Sequence, residues 1–329
     1  APKVELEEDI YTYTNADNGA GPMWCSGSTC IVRSGDRVFV AGLETVPDAK
    51  PLNNCRWMLF TRDAEGWRRV GVDETGLTRE PSPLAAFADG RVFHSVNPTL
   101  APTAYSGPAQ PAVLQFDAKD PTTPPTAFAP VWQGTPEFTE HSYRSFAADG
   151  AAGELILLQN IGYTHAEWSF RDRNGQWSAQ GQLKWPWGAE YDKPQPIRVC
   201  YPNVALRDGA VHFFGVSDIV EPNPAFRNFK QELTGQKWDY DFRRLFYTWT
   251  SDISQQPFAE WVEIASREST CGWLFPCDLW LAPSGEVHLL WTERAIDPRL
   301  REKFFPDAKQ SEALHYAVIR DGKVTHRSS

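Results

Sequence analysis

The chain has 329 residues, 41% of them hydrophobic, with 14 Trp and a formal net charge of −10. This is enough to bury a large core, yet no apolar run approaches the ~20 residues a membrane span needs. The acidic balance and the lack of any Lys/Arg block exclude nucleic acid and an anionic membrane surface as natural partners. An acidic polymer stays open, because a local basic cleft can sit on an acidic protein.

In chain order, five segments repeat one pattern of apolar run, Gly turn and second apolar run: CIVRSGDRVFVAG (30–42), LAAFADGRVFHSV (84–96), RSFAADGAAGELILLQ (144–159), NVALRDGAVHFFG (203–215) and DLWLAPSGEVHLLW (278–291). Each predicts a hairpin, since Gly closes a tight turn without steric cost. A weaker pair of strands follows each one: 55–72, 112–132, 166–183, 245–264 and 314–329. Four strands per unit, repeated along the chain, predict an all-β fold, a β-propeller of four-stranded antiparallel blades. Five blades are legible and five to seven are compatible with the length. No linker divides 1–329, so one domain is expected, with 1–26 as an N-terminal segment in which EDIYTYT (8–14) could close the ring. The Pro-rich stretch 108–130 reads as rigid outer strand and turn of blade 2.

The chain begins Ala-Pro-Lys without Met, which reads as a processed end and leads to the expectation of a secreted or periplasmic protein, monomeric, with no membrane contact. Six cysteines fit that compartment: Cys25, Cys30, Cys55, Cys200, Cys271 and Cys277. Disulfides within the pairs Cys25/Cys30 and Cys271/Cys277, or one joining the two pairs, are expected to tie the fold. A zinc site is the rival, though no C-x-x-C spacing supports it.

Hairpin turns such as SGD, ADG and RDG are terse, whereas the other set of connections is long and rich in aromatic and charged residues: 43–54, 97–110, 134–144, 162–167, 185–203, 217–244 and 292–313. Long, chemically varied loops on one face of a rigid scaffold are where ligand chemistry is expected. There lie His141, Tyr143 and Arg144 at the entry to blade 3, Tyr163 and His165 in its central loop, and Arg198 and Tyr201 at the entry to blade 4. His212 and His288 hold equivalent places in their strands and read as packing. For His94 a packing role and a site role both remain open.

The run EHSYRSFAADGAAGELILLQNIGYTHAEWSFRD (140–172) resembles a blade of the BNR-repeat propellers that include ulvan lyases and related exo-acting rhamnosidases. CYPNVALRDGAVHFFG (200–215), with RRLFYTWTSD (243–252) downstream, is similar to their Tyr-Pro blade. The resemblance covers roughly residues 140–325. It implies His141 and Tyr201 as the acid/base pair and His165 as a further site histidine. No cofactor is expected for the chemistry, and a structural Ca²⁺ or Zn²⁺ is compatible with the sequence. The family's charge-neutralising Arg has Ser217 in its place here, and the family ring usually has seven blades.

A lyase acting on a uronic acid must remove the C5 proton, neutralise the enolate and protonate the leaving oxygen. His141 and Tyr201 suit the proton transfers, with His165 and Arg144 on the substrate carboxylate; Arg198, Arg243 or Arg244 could add charge. Trp185, Trp187 and Tyr191 could stack on sugar rings, as Tyr143 and Tyr163 could line the cleft, although most of the Trp are expected in the core. The expected substrate is therefore an acidic polysaccharide or its oligosaccharides. Glycoside hydrolysis is the alternative and requires two facing carboxyls, which Glu137, Glu140, Glu167, Glu190, Asp192, Asp218, Asp239, Asp241 and Glu293 could supply. A non-catalytic sugar-binding propeller is the third reading, but strongly differing loops favour a single site. SFRDRNGQW (169–177) is similar to an Asp-box, a turn staple that speaks for fold only.

Overall fold

A computed structural model describes residues 3–329. The chain groups into two compact units: Thr29–Pro130 with the N-terminal segment and Glu137–Phe146, and Ala147–Ser329 with Ser26–Ser28 and Val131–Pro136. All ten expected hairpins are present, and they assemble into five four-stranded antiparallel sheets, the blades of the β-propeller class.

The first unit carries β1 (Ile31–Ser34), β2 (Arg37–Thr45), β3 (Cys55–Asp63) and β4 (Gly66–Val72) as one blade. A second is made of β5 (Leu84–Ala86), β6 (Arg91–Val96), β7 (Ala112–Asp117) and β8 (Thr126–Phe128). Phe39, Trp57 and Leu59 of the first sheet pack on Leu84, Val92 and Phe116 of the second. The segment 8–14 forms no strand; instead Tyr11 stacks on Phe60 at 5.2 Å and its hydroxyl accepts from Leu43 N. Gly42 makes this possible, since a Cβ there would lie 2.8 Å from the Phe60 ring and 3.2 Å from Tyr11.

The second unit carries the blade β9 (Ser145–Asp149), β10 (Glu154–Ile161), β11 (His165–Arg171) and β12 (Trp177–Lys184), then a ribbon of β13 (Trp187–Gly188) and β14 (Gln195–Pro196). β15 (Val199–Arg207) and β16 (Ala210–Ser217) open the next blade. After them come β17 (Ile219–Val220), helix α1 (Pro224–Thr234) and β18 (Tyr240–Asp241), in which β17 pairs with β18. β19 (Arg244–Thr250) and β20 (Val262–Ser266) complete that blade. The last blade is β21 (Trp273–Leu281), β22 (Val287–Arg294), β23 (Glu312–Arg320) and β24 (Lys323–Ser328), with helix α2 (Pro298–Phe304) between β22 and β23.

The burial pattern follows strand position. Inner β10 is buried on both faces over Glu154–Asn160, whereas outer β12 alternates exposed and covered residues, as expected for a sheet sandwiched between neighbours at its inner strands only. Two shared cores, Ile156–Trp168–Phe213 and Phe214–Tyr247–Leu289–Trp291, join the three blades of this unit. The Asp208-Gly209 turn has both residues at positive φ, 47° and 75°, the type I′ geometry that matches strand twist. In the Asp-box-like turn, Asp172 Oδ1 accepts from Asn174 N and Gln176 N, both at 2.9 Å. His212 and His288 are packing residues, bonded to the hydroxyls of Tyr247 and Tyr316.

The disulfide expectation is corrected. Cys25, Cys55, Cys271 and Cys277 are free thiols, so neither close pair is bridged and the two pairs are not joined. Cys271 precedes β21 and Cys277 lies inside it, with the strand residues Trp273, Leu274, Phe275 and Pro276 between them. Among the described residues, no group of three or more His, Cys, Asp or Glu is placed to hold a metal ion.

Candidate functional site

In the first unit, His141 is one third exposed, with its Nδ1 2.6 Å from Arg79 Nη1 and 3.4 Å from Glu80 Oε1. Glu80 lies beneath it, fully buried. It accepts from Ser142 N (2.8 Å), Ser142 Oγ (2.6 Å) and Tyr143 N (3.1 Å). Burial alone would raise the Glu80 carboxyl, but His141, Arg144 and Ser142 outweigh it and hold it below the usual range. This carboxylate also holds Tyr143 at a φ of 43°. Tyr143 itself is buried, and its ring packs tilted at 35° against Trp24 with centroids 4.6 Å apart. Arg144, only 1% exposed, donates to the carbonyl of Pro81 at 2.7 Å. As placed, His141 has an accessible face, while Tyr143 and Arg144 build the wall behind it.

In the second unit, three residues singled out from the sequence meet. Arg198 is buried, paired with Asp218 Oδ2 at 3.1 Å, and its guanidinium lies 4.0 Å from the Tyr163 ring centroid. Tyr163 and Tyr240 share a hydrogen bond of 2.9 Å between hydroxyls. Burial pushes the Tyr240 phenol up to about 12. Tyr201, at a φ of 51°, packs on Phe242 and Phe275. His165 stands apart in a local set, with Nε2 3.0 Å from Glu167 and Nδ1 2.7 Å from Thr164. Trp187 is 60% exposed on its ribbon.

Tyr240 and Phe242 belong to a cavity of about 540 Å³ whose walls also include Trp238, Trp273, Asp239, Asp297, Arg294 and Arg299. Local sequence places these walls. Asn223 caps α1 by accepting from Ala225 N and Phe226 N, and Gly235 ends the helix at a φ of 71°, returning the chain to β18. Asp297 caps α2 by accepting from Arg299 N at 2.9 Å. Phe226 and Phe229 of α1 meet Phe304 of α2 at 5.0 and 5.6 Å.

Three carboxyls converge on the cavity. Asp239 and Asp297 reach its surface and share the Arg299 guanidinium, at 3.2 and 2.7 Å. Asp241 lies under the floor. Its Oδ1 accepts from Ser217 Oγ and Arg243 N, both at 2.9 Å, and its Oδ2 is 3.0 Å from Arg243 Nε. Arg243 is itself bidentate to Glu221 (2.8 and 3.0 Å), bonded to Glu268 and donates to Cys271 Sγ at 2.7 Å. Burial pushes the Asp241 carboxyl up to about 7, with Arg243 pulling down and Glu268 and Glu221 pushing up. Asp297 goes the other way: against burial, the hydrogen bonds and charge of Arg299 hold it below the usual carboxylate range.

Sequence reasoning had named Asp239, Asp241 and Arg243 among many candidates and missed Asp297, Glu221 and Lys230. A signal was present: Asn223-Pro224 ahead of a polar run ending in Gly235, and Asp297-Pro298, are helix starts, and both helices bring these residues to the cavity.

No family model and no curated protein matches the chain. Similar solved structures include a glycoside hydrolase family 43 arabinoxylan arabinofuranohydrolase from Bacillus subtilis in complex with cellotetraose, at 12% identity over 92% of this chain and 66% of that one, TM-score 0.43. A thermostable family-43 glycoside hydrolase matches at 11% identity over 91% and 93%, TM-score 0.40. A GH43 endo-arabinanase from Bacillus licheniformis matches at 10% over 96% and 100%, TM-score 0.41. The chain spans just under two thirds of the first of these. At such identities the likeness concerns fold alone, and no site residue is carried over from them.

Proposed function

We propose that the chain is a carbohydrate-active enzyme, a glycoside hydrolase working in the cavity between α1, α2 and the β17–β18 ribbon. The observation that carries this is the convergence of Asp239, Asp241 and Asp297 on one cavity walled by Trp238 and Trp273, where burial raises the Asp241 carboxyl and Arg299 holds Asp297 low. Environments that push two carboxyls apart supply an acid and a base at the same pH. In this reading Asp241 protonates the glycosidic oxygen. Asp297 acts as base or nucleophile at the anomeric carbon, and Asp239 with Arg299 grips sugar hydroxyls. Trp238, 65% exposed at the mouth, and Trp273 offer apolar faces for sugar rings. Because the Asp241 side chain is buried, substrate entry has to displace the Arg243 side chain before the proton is delivered.

β-Elimination on an acidic glycan is the second reading. It is favoured by Tyr201 standing against Phe242 of the same cavity, with Arg198 beneath Tyr163 close by. Incubation with a panel of neutral and acidic polysaccharides separates the two. New reducing ends without the ultraviolet absorbance of unsaturated uronates support hydrolysis; a rise in both establishes elimination and overturns the hydrolase reading. Silence in both across the panel also counts against it and favours a binding protein.

A further inference from the structure

Helix α1 enters the second unit through a lysine. Lys230 is the buried residue of this eleven-residue helix, at 3% exposure. Its Nζ is 2.8 Å from Glu221 Oε2, 2.5 Å from Asp239 Oδ2 and 3.9 Å from Asp297 Oδ2. Taking an ammonium out of water costs several kcal/mol before its partners repay it, and a well-packed apolar residue is often the more stable choice at such a place. The Phe226 and Phe229 contacts to Phe304 already dock α1 on α2. Anchoring the helix therefore does not account for a charge here.

Its partners do. Glu221 Oε2 is shared between Lys230 and Arg243 Nη1, each at 2.8 Å, and Arg243 Nε in turn faces Asp241. On the other side, Asp239 and Asp297 share Arg299. We propose that Lys230 is a positioning residue, a single ammonium that ties the arm carrying Asp241 to the arm carrying Asp297 and makes α1 part of the pocket's chemistry; this rests on the glycoside hydrolase reading. The charged and titratable groups around it are Glu221, Asp239, Asp297, Arg243, Arg299 and Cys271. Burial works against the Lys230 charge, yet Glu221 and Asp239 outweigh it and raise its affinity for the proton. Lys230 in turn helps hold Glu221 and Asp297 ionised.

Lys230→Met removes the charge and keeps the length. Expected are an acidic limb of the pH–activity profile displaced to higher pH, a kcat about tenfold lower with KM little changed, and recovery of the limb in Lys230→Arg. In parallel, NMR on carboxyl-labelled aspartate in the full chain should show Asp297 titrating at higher pH in Lys230→Met. If that variant does not fold, Lys230→Met/Asp239→Asn, which also removes the carboxylate nearest the lost ammonium, reads the Asp297 titration and the same limb. An unmoved limb and unmoved titrations overturn the proposal while leaving hydrolysis intact. Shifted titrations in a protein that hydrolyses no glycan support the Lys230 tie and overturn the hydrolase reading alone.

Discussion

Arg243 Nε lies 3.0 Å from Oδ2 of Asp241, and Asp241 still keeps its proton up to about pH 7. Burial is the main cause. The charges of Glu268 and Glu221 add to it, against the downward pull of Arg243. The group's folded pKa lies above its unfolded value of about 3.9, so its stabilising contribution is complete below that value and is lost as pH rises through 7. Asp241→Asn should therefore raise stability at pH 8 by about 1–2 kcal/mol and have little effect near pH 4, while abolishing hydrolysis. Urea unfolding at the two pH values checks the first part, and a loss of stability at pH 8 would contradict it.

Asp297 has two duties that substitution can separate. Asn caps a helix about as well as Asp, so Asp297→Asn keeps the cap, gives up the Arg299 ion pair at a cost of up to about 1 kcal/mol, and should lose at least ~100-fold in kcat. Asp297→Ala should lose the same activity and about 1 kcal/mol more stability, the cost of a missing cap. Thermal unfolding alongside kinetics distinguishes the two effects.

Trp238 is largely solvent-exposed at the cavity mouth. Trp238→Ala is expected to leave the unfolding transition in place and weaken oligosaccharide binding roughly tenfold, about 1.4 kcal/mol. Calorimetric titration with the oligosaccharide found by the panel measures it; an unchanged Kd would remove Trp238 from the site.

His94, in the first unit, is wholly buried against Trp57, and burial pushes its imidazole down to about 3. A histidine kept neutral in this way contributes stability above its unfolded pKa of about 6.5 that drains away as pH falls toward 3, by ~1.4 kcal/mol per pH unit. Stability should decline below pH 6.5, and His94→Leu should flatten that decline, as read from urea midpoints between pH 7 and pH 4.

Reductant is expected to leave the melting temperature unchanged, because neither Cys25–Cys30 nor Cys271–Cys277 is bridged. A disulfide of ordinary worth, about 2–4 kcal/mol, would lower it by several degrees when reduced.

The blades were legible because their signals are local. An RDG or ADG turn between apolar runs specifies a hairpin whatever surrounds it, and such turns recur from Gly35 to Gly322. The two helices are also written locally, in Asn223-Pro224 with Gly235 and in Asp297-Pro298, but their place inside long loops hid them among residues read as irregular. Arg144 shows the opposite limit: its position beside His141 suggested a substrate contact, and only the fold reveals that its guanidinium is spent on the Pro81 carbonyl.

By itself, then, the amino-acid order determined the pairing of strands within each hairpin and the acidic, aromatic character of the loops, since each depends on neighbours a few residues apart, while it left the blade number between five and seven. Which carboxyls share one pocket was decided by tertiary structure alone. Asp241 and Asp297 are brought to one pocket by a ribbon and a helix from different blades, and the opposite shifts of their carboxyls arise from burial, the charges of Glu268 and Glu221 beside Asp241 and the charge of Arg299 beside Asp297. Those are properties of the space around a group, and no spacing along the chain records them.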